Sequence, residues 1–286
     1  IPSFISAPIA GVLITAVVLL GSFHRVERVL LFISSTLALY IIDGILAAPD
    51  WSEVWHNSIV PHMPVNELGW IAIAATLGTT LAPWGLAFIQ SYAVDKKITV
   101  ADLRWERVDV VIGSLLTGVI GLAIAVACAA TLNRAGIHIE DAADVAEALR
   151  PLAGSFATTL FGAGLLGASL LAAAIVPLAT SYSIAEGIGA PASLDLDSHH
   201  FQYFYAAFVG LSVAAVSIVS LPGLPLIPLI YTSQVVNAVM LPLHVIALQL
   251  LARDRSIMGV ATSGNKTQIA GWISIVLIVA CVVALM

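Results

Sequence analysis

The sequence predicts an all-α integral membrane protein with about eight transmembrane helices, and three observations carry that expectation. Of its 286 residues 60% are hydrophobic and 10% charged, with a mean hydropathy of +1.03. A soluble domain of this size could not build a polar exterior from that composition. The apolar residues fall in runs long enough to cross a bilayer, and the lysines and arginines collect in the segments between alternate runs, as a fixed orientation in the membrane requires.

The runs place spans at residues 7–22, 29–48, 68–94, 110–132, 155–185, 202–221, 226–250 and 268–286. Arg25 and Arg28, then Lys96, Lys97, Arg104 and Arg107, then Arg253, Arg255 and Lys266 all lie on one side, against Arg134 and Arg150 on the other. The richer side is expected to be cytoplasmic. The loop at residues 190–200 belongs to that side but carries no Lys or Arg. Trp51, Trp55 and Trp70 then fall near the outer interface and Trp105 and Trp272 near the inner one, where amphipathic rings prefer to sit. Cys128 and Cys281 lie within apolar runs and read as buried thiols. Ile1 falls outside, with no initiator methionine or basic leader before it, so the chain reads as a piece of a longer protein.

The third run holds the stretch that organises the rest, Gly78-Thr79-Thr80-Leu81-Ala82-Pro83-Trp84-Gly85. Pro83 removes a backbone donor and clashes with the preceding turn, and Gly78 and Gly85 flank it as easy places to bend. Lipid offers no partner to backbone released at mid-membrane, so protein or a passing solute must satisfy it. A discontinuous membrane helix is thus a candidate substrate site. Trp84 is the one tryptophan at mid-membrane, and its N–H needs an acceptor there.

Between spans three and four, Thr99 followed by Asp102 has the spacing of a helix cap and predicts a short interfacial helix. Gly113, Thr117 and Gly121 in span four, and Gly162, Gly164 and Gly167 in span five, are expected to let helices pack closely. Residues 137–147 read as a short acidic amphipathic helix on the outer surface. Asp43, Glu186 and His244 are the ionisable groups within spans. Asp43 and Glu186 lie close enough to an interface to be solvated, which leaves His244 as the candidate proton relay. In span seven Gln234 and Asn237, three residues apart, share a helix face. Their amide oxygens serve either interhelical hydrogen bonding or a cation at the broken span.

Residues 78–90, the segment Arg104-Trp105-Glu106-Arg107-Val108-Asp109, the stretch from Pro177 to Glu186 and the pair Ser233-Gln234 together resemble the Nramp family of divalent-metal transporters, over essentially the whole chain. The resemblance aligns the chain with the family's fourth to eleventh helices. It implies a LeuT-type fold of two inverted five-helix repeats with metal bound between broken first and sixth helices. The whole chain would then be one partial transporter domain: residues 1–48 end the first repeat, 68–250 form the second, and 268–286 add a C-terminal helix. The first three family helices are missing, and with them the family's Asp-Pro-Gly-Asn motif.

The chain departs from the family pattern where it matters chemically. Typical members read Met-Pro-His-Asn in the sixth helix, and here the sequence is Ala82-Pro83-Trp84-Gly85, with Ile89 where a second family histidine lies. The resemblance implies a metal site lined by the Thr79 carbonyl, the Thr80 hydroxyl, Ala82 and Gln234, with Gly78, Pro83, Trp84, Gly85 and Asn237 shaping it. Without the thioether it keeps only hard oxygen donors, which suits Mg2+ and points to the magnesium-transporting branch. The expected function is inward transport of a divalent cation, Mg2+ before Mn2+, by alternating access in a bacterial plasma membrane. The metal is substrate, with no resident cofactor and no enzymatic activity; the bilayer is the other partner, no nucleic acid is expected, and oligomeric state is left open. The rivals are a proton-coupled Mn2+ or Fe2+ symporter, a sodium-coupled carrier of a small organic solute with the same fold, and a non-transporting structural or interaction protein.

Overall fold

The structure is a computed structural model that describes residues 3–20, 23–60, 67–130, 142–194 and 202–283. Each of the eight apolar runs is helical: α1 (Ser3–Leu20), α2 and α3 (Phe23–Ser35 and Leu39–Leu46), α5 and α6 (Glu67–Thr80 and Pro83–Asp95), α7 (Leu103–Cys128), α8 (Ala142–Gly187), α9 (Gln202–Val219), α10 (Leu226–Leu251) and α12 (Asn265–Val283). Two short helices complete the described residues, α4 (Trp51–Ile59) after α3 and α11 (Arg255–Met258) after α10. Among the described residues six helical stretches are long and apolar enough to cross a membrane, and Phe4–Leu20 and Tyr203–Val219 are shorter apolar helices. Large side chains such as Phe32, Leu115, Val276 and Leu243 lie exposed along them, as faces turned to lipid would be.

The helix ends follow local chemistry. Ser34, Ser35 and Thr36 each turn a hydroxyl back onto the carbonyl three residues earlier, at 2.9, 2.6 and 2.7 Å. Three such bonds compete with the α-helical ladder, and the chain tightens into a 3-10 turn at Thr36–Ala38 between α2 and α3. Asp50 caps α4 by accepting from the Ser52 and Glu53 N–H groups. Gly189, at φ 71°, closes α8 with Ala190 N–H on the Ala185 carbonyl, a left-handed cap that favours glycine. The expected cap before α7 is present: Asp102 accepts from both the Thr99 N–H and its hydroxyl. The acidic outer helix expected at residues 137–147 lies partly outside the described residues, and from Ala142 onward the backbone already belongs to α8.

The chain divides into two compact units. Unit 1 comprises residues 1–61 and 92–224. In it α3 packs on α7 and α8, and α8 packs on α9, α2 and α1. Glycine makes the α8 contacts close: a Cβ at Gly164 would lie 2.9 Å from the Tyr40 ring, and one at Gly167 would overlap the Thr36 hydroxyl. Gly113, Gly121 and, in α8, Gly162 differ from expectation, since no atom lies within 4 Å of a Cβ there. Instead α7 meets its neighbours through Ile120, Ile124 and Ala127, residues on one helical face, and through Ala123 against Gly44.

At its basic end unit 1 is tied together by polar contacts. Tyr92 donates to Glu27 at 2.9 Å, and Lys96 lies 4.0 Å from Glu27 and 3.8 Å from Glu106. Partial burial alone would depress the Lys96 ammonium, but the Tyr92 hydroxyl and the two carboxylates outweigh it and hold Lys96 above the ordinary lysine value. Asp95 accepts from the hydroxyl of buried Tyr182 and, at 3.0 Å, from the Leu194 N–H. The last turn of α6 is thereby fastened to α8 and to the strand of chain that follows it.

Unit 2 comprises residues 62–91 and 225–286. Its main contact is α5 against α10, with α12 packed on α10 and more lightly on α5. Gln249 of α10 donates to the Gln268 carbonyl at 2.7 Å and to its side-chain oxygen at 2.9 Å, and Gly271 leaves room for the Gln249 amide. Asp254 caps α11 on Ser256, whose hydroxyl and N–H hold the Asp254 carboxyl below its usual range.

Candidate functional site

The helix expected to break does break, one step earlier than the proline itself. α5 ends at Thr80, Leu81 and Ala82 leave the helix, and Pro83 is the first residue of α6. That is where proline fits best, because the first turn of a helix does not use its N–H. The last bond of the first segment runs from Leu81 N–H to the Leu77 carbonyl at 3.2 Å. The second segment starts with the Gly85 and Leu86 N–H groups on the Ala82 carbonyl, at 3.0 and 3.3 Å. The Thr79 carbonyl is four residues before Pro83, so the imide nitrogen that should answer it has no hydrogen to give. The break therefore releases an acceptor oxygen within an apolar span.

Glycine brings α10 up to this point. Gly78 is buried, and a Cβ on it would overlap the Gln234 carbonyl oxygen and lie 2.8 Å from the Ala238 nitrogen. Only glycine permits two helix backbones to approach this closely. The turn of α10 that carries Gln234 and Asn237 is thus pressed against the end of α5, one residue before Thr79. Gly85 has no atom within 4 Å of its Cβ direction, so the two glycines that flank the break do different things.

The side chains proposed for the site are arranged as follows. Thr79 and Thr80 are exposed, and the Thr80 hydroxyl donates to the Thr76 carbonyl at 2.7 Å, which leaves its lone pairs outward. Ala82, Trp84 and Gly85 are half-buried and Pro83 is buried. Asn237 donates to the Gln234 amide oxygen at 3.2 Å. This contact aligns the pair on one face. His244 holds its Nδ1 3.0 Å from the Met240 carbonyl, one turn back on α10. Among the described residues no three His, Cys, Asp or Glu side chains come together in a metal-binding group. The Gln234 backbone carbonyl lies against Gly78, one residue before Thr79.

One group the sequence reading set aside is placed differently from expectation. Asp43, expected to be solvated near an interface, is 0% exposed, and neither carboxyl oxygen has a hydrogen-bond partner. The cause is the close α3–α7 contact at Gly44, which covers the position from the side; distance along the span could not reveal it. Glu186, at the other end of α8, is exposed as expected.

The chain is 24% identical over 247 residues to a divalent metal cation transporter MntH of Clostridium acetobutylicum, an alignment covering 84% of this chain and 54% of that protein. It is 26% identical over 268 residues to the MntH of Caldanaerobacter subterraneus subsp. tengcongensis, covering 90% and 61%. A third MntH, from Aeromonas hydrophila, is 25% identical over 261 residues, covering 89% and 60%. The chain spans little more than half the length of these relatives. The profile described as natural resistance-associated macrophage protein-like matches residues 1–286 throughout, and the chain, a multi-pass membrane protein, belongs to the Nramp family.

Proposed function

We propose that the chain is the part of a divalent-cation transporter that holds the second half of the ion pathway, and that the ion is Mg2+. The observation that carries this reading is the break at Leu81–Ala82, which frees the Thr79 carbonyl beside the Gln234 turn of α10. The ion is substrate, and no catalysis or resident cofactor is invoked. The Thr79 carbonyl, the Thr80 hydroxyl and the Gln234 amide oxygen are its ligands here. Ala82 lines the site, Asn237 orients Gln234, Trp84 and Gly85 form the wall beyond the break, and Pro83 keeps it open.

The choice of Mg2+ rests on donor chemistry. Mg2+ dehydrates reluctantly and is held by few protein oxygens together with retained water, whereas Mn2+ and Cd2+ gain from a soft ligand. Ala82 offers no sulfur and leaves room for water. The fold of this reading is LeuT-type, the membrane is the bacterial plasma membrane, and alternating access moves the ion inward. A membrane potential suffices as the driving force, at about 4.6 kcal/mol per 100 mV for two charges. His244 is the one histidine within the α10 span, and a proton-coupled Mn2+ or Fe2+ symporter is the alternative that would use it.

Restoring the sulfur tests the assignment. Ala82→Met should raise affinity for Cd2+ and Mn2+ by roughly tenfold, since each 1.4 kcal/mol is a factor of ten, and should weaken Mg2+. Calorimetric titration of the purified product of the complete open reading frame reads both. An unchanged order of metal preference removes Ala82 from the site.

A further inference from the structure

Asp43 lies in unit 1, on α3, among groups that cannot support a charge. It has no exposed surface and both carboxyl oxygens lack a hydrogen-bond partner. One turn before it, Tyr40 packs edge-on against Phe161 of α8 with ring centroids 5.2 Å apart. Tyr40, Phe161 and Ala127 of α7 form the core of an apolar cluster completed by Leu37, Ala47, Ile120, Ile124 and Cys128. Immediately after it, Gly44 brings α3 against the α7 backbone, where a Cβ would lie 2.9 Å from the Ala123 carbonyl oxygen.

The groups that face Asp43 are few. Tyr40 on its own helix and Cys128 on α7 are the titratable side chains within electrostatic reach. From α8, Phe161 and Gly164 pack on the Tyr40 ring one turn before Asp43, and among the described residues no charged side chain acts on Asp43. An ionised carboxylate with neither cation nor donor is not tolerated in such surroundings and takes up a proton instead. A metal ion is a poor substitute, because Mg2+ and Ca2+ complete their coordination with several further oxygens or waters, and Asp43 has no exposed surface at which water could supply them.

We propose that Asp43 is a proton-binding site, loaded while α3 and α7 are packed together and emptied only when they separate. The proton passes from the carboxyl to water admitted by that separation, and the carboxylate left behind opposes the return of α7 until it is protonated again. The contact at Gly44 and Ala123 is the gate, because it is backbone against backbone beside a carboxyl with no exposed surface. Lower pH therefore favours the packed α3–α7 arrangement and higher pH the parted one. This behaviour is independent of which ion occupies the broken helix of unit 2.

Infrared difference spectroscopy on the purified product of the complete open reading frame tests the proposal. The expected result is an aspartic-acid C=O band at mildly acidic pH that shifts on carboxyl-13C labelling of aspartate and is lost in Asp43→Asn. As the pH is raised the wild-type band should fade while the melting temperature drops, and Asp43→Asn should lack that drop. Absence of any protonated-aspartate band from the wild type overturns the proposal without recourse to a variant. So does a band that survives in folded Asp43→Asn. A wild-type melting temperature raised by added Mg2+ or Na+ through Asp43 would mean that the site takes a cation and not a proton.

Discussion

Gly78→Ala is expected to destabilise unit 2 by about 3 kcal/mol, the upper end of what one inserted methyl costs in a packed site. The added carbon meets backbone, the Gln234 carbonyl and the Ala238 nitrogen, and backbone cannot rotate out of the way as a side chain can. To accept it, α10 must retreat from α5, which carries Gln234 away from Thr79. Gly85→Ala is the matched control. No atom lies within 4 Å of its Cβ direction, and alanine in a helix is favoured over glycine by about 0.5–1 kcal/mol. Thermal unfolding in detergent should rank the proteins Gly85→Ala, wild type, Gly78→Ala, from most to least stable. Equal behaviour of the two variants would mean that α5 and α10 are not in backbone contact.

Asp95→Ala should cost unit 1 a similar amount. Asp95 is the acceptor for the Tyr182 hydroxyl and the Leu194 N–H, and Tyr182 is 2% exposed. Deleting the carboxyl removes the acceptor that both donors share, at about 1–3 kcal/mol for each that then stays buried without a partner. Asp95→Asn keeps one oxygen and should lose about half as much. Tyr182→Phe removes a donor together with its need for a partner and should cost about 1 kcal/mol. A double-mutant cycle between Asp95→Ala and Tyr182→Phe isolates the pair. If the two losses simply add, the hydrogen bond is not made.

What could be read from the sequence, and what could not, divides along local and non-local physics. Pro83 announced a break because proline acts on its own turn, and Thr99 with Asp102 announced a cap for the same reason. The position of the break one residue earlier follows from the preference of proline for the start of a helix. The chemistry of α4 was equally local, in Asp50 followed by Ser52 and Glu53, although its tryptophans drew the reading toward an interface. Gly78 and Gly85 looked alike because a glycine does not say what faces it; that depends on α10, more than a hundred residues away. Asp43 looked solvated because depth along a span is legible and lateral cover is not. At the candidate site, the oxygen donors of Thr79, Thr80 and Gln234 were named from sequence, and the glycine contact that brings Gln234 to the end of α5 came only from the fold.

The most direct test of the central claim is ion entry into liposomes that contain the product of the complete open reading frame, followed with an internal Mg2+ indicator and an internal pH dye under an inside-negative potential. The reading given above predicts Mg2+ entry without acidification, abolished when Gly78→Ala parts α10 from the broken helix. Entry of Mn2+ with acidification and no movement of Mg2+ would contradict it, and would assign the pathway to proton-coupled transport of a transition metal.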